Sequence, residues 1–354
     1  MATIYSNYSY GPSEKNKVDI YEPTNYNYIN QTGTDPKGVI VWIHGGGWRE
    51  GDKATDASNW FCVGGSDQPF TQDKVQCGLM ADQGFVVLSA NYDLQGPDPS
   101  PDPYPCLIPR GNGYYPNNIN QLAELIKYLA IPGYATGVNA ATWQLLNRYV
   151  NTYGLMIVGG SAGGHLAITS AFTAASQTAY WPRAMMNCIG PMDLVETPEN
   201  PYGPEGRALV VAYCQNNLAN ETGASPWYRR VDYVNYPNFA LLSDPNQPQV
   251  KTRVCFWFNS NDTLVPPTSI VRFRDWILGQ LGSGFVISTE VTEGTVTPGQ
   301  ENHNITTGWS GQVMPTAKKV FFSGPNYPNV QQKLRPTQGM VYPRPYIYRY
   351  ARQP

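Results

Sequence analysis

The sequence predicts an α/β fold, a mostly parallel central sheet with helices on both faces. Three observations predict it. Short apolar runs such as Val39-Ile40-Val41-Trp42-Ile43 and Phe85-Val86-Val87-Leu88 recur along the chain and suit strands buried on both faces. Between such runs lie segments with apolar residues at helical spacing, for example Ile119, Leu122, Leu125, Ile126 and Leu129. Finally, glycine-rich stretches and polar residues with reactive side chains follow directly on the apolar runs, where open α/β sheets place their sites.

Taken in order, residues 1–37 read as an irregular start with one short strand, Val18 to Tyr21, stopped by Glu22-Pro23. Gly38 to Ile43 is a central strand that runs into His44-Gly45-Gly46-Gly47-Trp48. A helix starts near Gln72, and Phe85 to Ala90 is the next strand. Residues 93–117 are dense in Pro, Asp, Gly and Tyr and read as loop. Asn118 is placed to cap a helix over Ile119 to Leu129, and a second helix covers Ala140 to Tyr149. Leu155 to Val158 is a strand, and an apolar helix follows Gly163. Arg183 to Ile189 is another strand. Residues 194–250 show little periodicity beyond Ala208 to Leu218 and read as a loop-rich lid. Thr252 to Phe258 is a strand, Pro267 to Leu281 a helix stopped by Gly282, and Phe285 to Val291 the last clear strand. Residues 311–354 form an irregular Pro/Tyr-rich extension with one short strand at Lys319 to Phe322, expected to pack on the domain (residues 1–310) or on a protein partner.

The bulk composition excludes some functions. Of 354 residues 41% are hydrophobic and 14% charged, with a net charge of −2, so a sizeable core is available and nucleic acid is not an expected partner. No apolar run approaches the length of a membrane span. The polar start MATIYSNYSYG lacks the basic and apolar regions of a signal peptide. Extracellular, virion-associated and cytoplasmic settings all stay open. The 25 Tyr, 9 Trp and 31 Pro point to long loops with aromatic surfaces, as in proteins that bind carbohydrate or sit in extracellular assemblies. The six cysteines fit no zinc spacing. Cys188 and Cys255 read as buried thiols, while Cys62, Cys77 and Cys106 lie where a disulfide could form. Matches to N-x-[ST] at Asn7, Asn30, Asn220, Asn261 and Asn304 carry no weight, since two adjoin the candidate site.

The chemistry centres on Gly159-Gly160-Ser161-Ala162-Gly163. Strand, glycine-flanked serine and helix together make a nucleophile elbow. Gly159 and Gly163 lack the β-carbons that would collide in so tight a reversal, and Ser161 is driven toward positive φ at the positive end of the following helix. A serine hydroxyl needs a neighbouring base. Of three histidines, His44 belongs to the glycine-rich loop and His165 sits one helical turn beyond Ser161, which leaves His303. Asp262, at a strand end, would orient the imidazole. Its position also suits an Asx-turn, and Asp193 is the alternative acid. The glycines after His44 expose backbone N–H groups to an oxyanion, and the amide of Ala162 adds another. Trp48 is either core or pocket wall. Trp48, Tyr92 and Trp227 are the candidate pocket residues, and Trp60, Phe61, Tyr114, Tyr115, Trp227 and Tyr228 motivate a sugar substrate.

These motifs resemble the serine esterases of the α/β-hydrolase superfamily, in the carboxylesterase and hormone-sensitive-lipase-like group, with feruloyl/acetyl-xylan esterase-like members the nearest comparison. The resemblance rests on Val18-Asp19-Ile20-Tyr21, His44-Gly45-Gly46-Gly47-Trp48, Gly159 to His165, Ala224-Ser225-Pro226 and Asp262-Thr263-Leu264-Val265-Pro266. It implies an α/β-hydrolase fold with a lid. It also implies Ser161 as nucleophile, Asp262 and His303 as its partners, and Gly46, Gly47 and Ala162 as oxyanion donors. The chemistry implied is ester hydrolysis through an acyl-serine, without metal or organic cofactor. The order Ser…Asp…His agrees. Tyr92-Asp93-Leu94 departs from the family's Tyr-Arg-Leu and removes a structural arginine.

The expected substrate is a short-chain, acetyl-type ester, carried by a small molecule or an acylated glycan. Two other readings compete. One is a serine peptidase, disfavoured because the chain has no room for a large propeller domain. The other is a subunit of an extracellular or virion assembly with a hydrolase body, which could still deacetylate a surface polysaccharide.

Overall fold

A computed structural model describes residues 2–24, 26–27, 32–33, 36–54, 73–95, 112–135, 139–243, 252–283, 285–291 and His303. In chain order the strands are β1 (Ile4–Ser9), β2 (Lys17–Tyr21), the short pair β3 (Tyr26–Asn27) and β4 (Thr32–Gly33), β5 (Val39–Ile43), β6 (Val86–Ala90), β7 (Leu155–Gly160), β8 (Ala184–Cys188), β9 (Arg253–Asn259) and β10 (Val286–Val291). The helices are α1 (Asp73–Asp82), α2 (Asn117–Ala130), α3 (Ala140–Tyr153), α4 (Ala162–Thr178), α5 (Pro204–Tyr213), α6 (Leu218–Ala224), α7 (Pro226–Tyr233) and α8 (Pro267–Leu281).

Eight strands make one sheet in the order β1-β2-β6-β5-β7-β8-β9-β10. β5 to β10 are mutually parallel, while β1 and β2 join antiparallel at one edge. The central strands β5, β6, β7 and β8 are buried at every position, as continuous apolar runs require. The chain moves one way from β5 to β6 and the other way from β6 onward. Right-handed crossovers therefore place α1 on one face and α2, α3 and α4 on the other.

The structure departs from the sequence expectation in three places. The start is not irregular: β1 is an added edge strand. Its polar run IYSNYS is exposed or half-buried throughout, which hides it from a hydrophobicity argument. Its register shifts between Tyr5 and Tyr8, and there Asn7 takes φ 66° and donates its N–H to Asp19 Oδ1. Asn118 is not a cap. It lies within α2, buried, donating to the Gly113 carbonyl at 3.2 Å and accepting from the Tyr213 hydroxyl at 2.8 Å.

Third, residues 194–243 are not loop-rich. They hold α5, α6, α7 and a 3-10 turn at Phe239–Ser243. α5 has no sharp apolar stripe, and α6 and the amphipathic α7 are only seven and eight residues long. Asn217 caps α6, with its side chain accepting from the N–H groups of Ala219 and Asn220. Prolines at the starts of α5 and α7 fix φ for a helix's first turn. The insertion is anchored by aromatic packing. Tyr233 of α7 stacks on Phe172 of α4 at 4.0 Å between centroids, with Phe273 and Trp276 of α8 around it.

Residues 244–250, the 311–354 extension with its Lys319 to Phe322 strand, and Cys62 and Cys106 lie outside the described residues. Cys77, one of the cysteines placed where a disulfide could form, is buried in α1, and Cys188 and Cys255 are buried in β8 and β9. No helix among the described residues is long and apolar enough to cross a membrane.

Candidate active site

β7 runs between β5 and β8 and ends at Gly160, so Ser161 emerges at the carboxyl edge of the sheet's centre. Ser161 has φ 53° and ψ −124°, a region that costs a non-glycine residue roughly 1–3 kcal/mol. The surroundings hold it there. Its N–H donates to Cys188 O at 2.8 Å, and its carbonyl accepts from the N–H groups of Gly164 and His165 at 2.9 and 3.1 Å. A β-carbon on Gly159 would stand 2.2 Å from the Gly163 carbonyl oxygen. One on Gly163 would stand 2.2 Å from that of Ile43. Only hydrogen fits at either position.

His303 Nε2 lies 2.8 Å from Ser161 Oγ, and its Nδ1 lies 2.7 Å from Asp262 Oδ2. His303 and Asp262 are both buried, while Ser161 is half-buried. A carboxylate only accepts, so Nδ1 carries the imidazole proton and Nε2 is free to accept from the serine hydroxyl. Asp262 uses its two oxygens differently. Oδ1 accepts from the N–H groups of Leu264 and Val265 at 3.0 and 2.9 Å, and Oδ2 faces the imidazole. The turn-forming role and the imidazole-orienting geometry therefore coexist in one side chain. Asp193, the alternative acid, is instead engaged by Arg272 at 3.1 Å and by the N–H of Val195. Burial pushes its carboxyl up to about 6 against the lowering effects of Val195 and the arginines.

The glycine loop leaves β5 directly beside the elbow. A β-carbon on Gly45 would lie 3.0 Å from Gly160 O and 3.3 Å from Ser161 Cβ. The Gly46 carbonyl accepts from the N–H groups of Arg49 and Glu50, both at 3.0 Å. Among the described residues none accepts a hydrogen bond from the N–H of Gly46, Gly47 or Ala162. Three unsatisfied donors around one serine are what a developing oxyanion would use.

The other two histidines brace the site. His44 Nδ1 is 2.7 Å from Gly45 O, its ring stacks on Tyr92 at 4.4 Å, and burial holds it below the usual imidazole range. His165 points away from Ser161. Its Nε2 lies 2.8 Å from Ala224 O, tying α4 to the Ala224-Ser225-Pro226 link, and burial lowers it to about 4.

Two candidate pocket residues sit elsewhere. Trp48 is 3% exposed and stacks on Tyr213 of α5, so of its two readings the structure selects core. Tyr92 is 1% exposed and donates its hydroxyl to His44 O at 3.1 Å, bracing the glycine loop from behind. Trp227 stays half-buried between Arg230 and Arg272, whose guanidinium carbons lie 3.8 and 4.5 Å from its ring centre. Trp60 and Phe61 lie outside the described residues.

Sequence reasoning missed Leu209 of α5. Its methyl groups lie 2.9 and 3.0 Å from where a β-carbon on Gly47 would stand, so the insertion reaches the glycine loop. Nothing in the local pattern marked it, because α5 shows no sharp amphipathic stripe. Among the described residues no cluster of three or more His, Cys, Asp or Glu side chains is placed to hold a metal ion.

The eight-stranded, mostly parallel sheet and the strand-serine-helix elbow define an α/β-hydrolase fold. A solved structure agrees with this fold. The chain superposes with a TM-score of 0.55 at 18% identity on a bifunctional GH43-CE protein of Bacteroides eggerthii, over 90% of this chain but 35% of that one. It spans about a third of that longer protein. A truncated carbohydrate esterase from gut microbiota (TM-score 0.49, 16% identity, 82% and 87% covered) and Thermogutta terrifontis esterase 2 (TM-score 0.49, 15% identity, 90% and 91% covered) lie further off. No protein-family model and no curated protein sequence matches the chain.

Proposed function

We propose that the chain is a serine esterase that removes short acyl groups, acetyl above all, from hydroxylated substrates such as glycans. The observation that carries the reading is the unbroken relay Ser161 Oγ, His303 Nε2, His303 Nδ1, Asp262 Oδ2, at 2.8 and 2.7 Å. Three unsatisfied backbone donors beside it add support.

In this mechanism Ser161 Oγ attacks the ester carbonyl as its proton passes to His303 Nε2. Asp262 stabilises the imidazolium and keeps it facing the serine. The carbonyl oxygen becomes negative and takes hydrogen bonds from the N–H groups of Gly46, Gly47 and Ala162, each worth about 3 kcal/mol in such a site. The tetrahedral intermediate collapses, His303 returns the proton to the departing alkoxide, and the alcohol leaves an acyl-serine. Water then enters, gives its proton to His303, and releases the carboxylic acid as Ser161 is regenerated.

Two features support the substrate range. Leu209 presses on the glycine loop and narrows the space beside the oxyanion donors, which favours a small acyl group. Tyr114 and Tyr115, beside the insertion, and Tyr228 within it are half-buried aromatic side chains of the kind that pack against a sugar ring. The test is hydrolysis of p-nitrophenyl acetate, longer p-nitrophenyl esters and acetylated glycans by the native chain and by Ser161→Ala. Acetate release lost in the variant supports the reading. Indifference to all of these esters contradicts it.

A further inference from the structure

The chain leaving β8 makes a second strained turn beside the elbow. Ile189 takes φ 52°, in the left-handed region that β-branched residues avoid, and it is wholly buried. Ile189 and Ser161 are thus two non-glycine residues of positive φ at neighbouring strand ends, since Gly160 of β7 pairs with Cys188 of β8. The peptide between Cys188 and Ile189 serves both neighbours. Its carbonyl accepts from the Ser161 N–H at 2.8 Å, and its N–H donates to Trp257 O at 2.8 Å. One peptide therefore ties the end of the strand that carries Ser161 to β9, the strand that leads to Asp262.

Asn187 holds this turn closed. Its side chain is wholly buried. Oδ1 accepts from the Gly190 N–H at 2.7 Å, and Nδ2 donates to the Gly190 carbonyl at 2.8 Å. The pair needs one acceptor and one donor side by side, as an amide supplies. The closed turn lies against the elbow. A β-carbon on Gly190 would stand 2.5 Å from Ser161 O and 2.4 Å from His165 N, the two atoms of an opening hydrogen bond of α4. A β-carbon on Gly164 would stand 2.3 Å from Asn187 Oδ1. The extra glycine after Gly159-Gly160-Ser161-Ala162-Gly163 thus leaves room for the amide.

We infer that Asn187 is a positioning residue for the nucleophile. It pins Gly190, and Gly190 keeps Ile189 in its left-handed turn. The Cys188–Ile189 peptide then holds the Ser161 N–H, and with it the elbow at φ 53°. Asn187 acts through Cys188 O and meets none of the reacting atoms. The inference rests on the esterase reading, and it places the effect on the rate of attack by Ser161 rather than on substrate binding.

The test compares the full native chain with Asn187→Asp and Asn187→Ser, with the fold checked by circular dichroism. Fluorophosphonate labelling rates, and kcat and KM for p-nitrophenyl acetate, are read across pH. Asn187→Asp carries its own rescue. Protonated, its carboxyl donates to the Gly190 carbonyl and accepts from the Gly190 N–H, as the amide does. Ionised, it only accepts, and it faces the Gly190 carbonyl with negative charge. Burial raises a carboxyl's pKa, so this exchange falls between about pH 6 and 9. Taking the ratio of variant to native rate at each pH cancels the titration of His303, which both chains share. The expected ratio is near one at the acid end and falls about tenfold or more at the alkaline end, with KM unchanged. The short hydroxyl of Asn187→Ser cannot reach both Gly190 groups, so that variant is expected to be about tenfold slow at every pH. A ratio for Asn187→Asp that stays flat, a loss carried by KM, or Asn187→Ser at the native rate overturns the assignment. If Asn187→Asp does not fold, Asn187→Ser decides alone. If neither folds, Asn187 serves folding rather than the reaction, and the assignment falls. A native chain that takes no label contradicts the esterase reading and this role with it. A reactive native chain with unaltered variants contradicts only the role of Asn187.

Discussion

Leu209 of α5 closes against Gly47 of the glycine loop, with its methyl groups 2.9 and 3.0 Å from where a β-carbon would stand. Gly47 also holds φ 58°, in the left-handed region. The insertion and the glycine loop are thus mechanically joined. Gly47→Ala is expected to cost about 1–2 kcal/mol of stability from backbone strain and to lower kcat by roughly tenfold or more through a displaced N–H. Adding Leu209→Ala relieves the contact and recovers part of the stability, since the contacting atoms are the ends of a flexible side chain. Denaturant midpoints and kcat for both variants check this. Equal recovery of rate and stability would show that the loop's position is set by packing alone.

Asp262 and Asp193 are separated by their partners. Asp262→Asn keeps the Oδ1 turn to Leu264 and Val265 but presents an NH2 group to His303 Nδ1, which then takes the wrong tautomer. A fall in kcat of about 10⁴ is expected at little cost to folding. Asp193→Asn loosens the Arg272 contact and leaves kcat within a few-fold. The two kcat values decide which aspartate serves the relay.

Acid stability carries two opposed signatures. His165 is lowered to about 4 in the folded chain, while the unfolded chain binds its proton near 6.5. Its contribution is present above 6.5 and is lost as pH falls toward 4, on the order of 3 kcal/mol in full. Asp193 is raised to about 6, so its contribution is present below about 3.8 and is lost as pH rises through 6. Urea denaturation at pH 7, 6 and 5 should show His165→Gln losing stability on acidification less than the native chain does, and Asp193→Asn losing more.

Glycine positions divide by what surrounds them. Gly163→Ala meets backbone carbonyl oxygens of Ile43 and His44 at 2.2 and 2.4 Å, which cannot swing aside. A loss of several kcal/mol is expected, enough to leave little folded protein. Gly78→Ala in α1 meets nothing within 4 Å and should stabilise by about 0.5–1 kcal/mol. Thermal midpoints of the two variants test the contrast.

The strands of the central sheet were legible because burial on both faces leaves a continuous apolar signature, and α8 matched its expected bounds because Pro267 and Gly282 punctuate it. The relay could be read because only three histidines exist and the elbow has a distinctive spacing. What was not legible depends on tertiary contact. β1 is polar and is held by its ladder to β2. Asn118 resembles a cap in sequence but serves Tyr213, a residue 95 positions away. Trp48 and Tyr92 could as well have been pocket walls, and only packing against Tyr213 and His44 places them behind the loop. The seven-residue α6 relies on its Asn217 cap, and α7, amphipathic but only eight residues long, is held by the packing of Tyr233.

The central claim is that His303 makes the Ser161 hydroxyl nucleophilic. It is tested most directly by treating the folded chain with a fluorophosphonate probe and locating the adduct by peptide mass spectrometry. One equivalent on Ser161, lost in His303→Ala while the fold is retained, is the predicted result. Folded native protein that takes no label at Ser161, or equal labelling in His303→Ala, would contradict it.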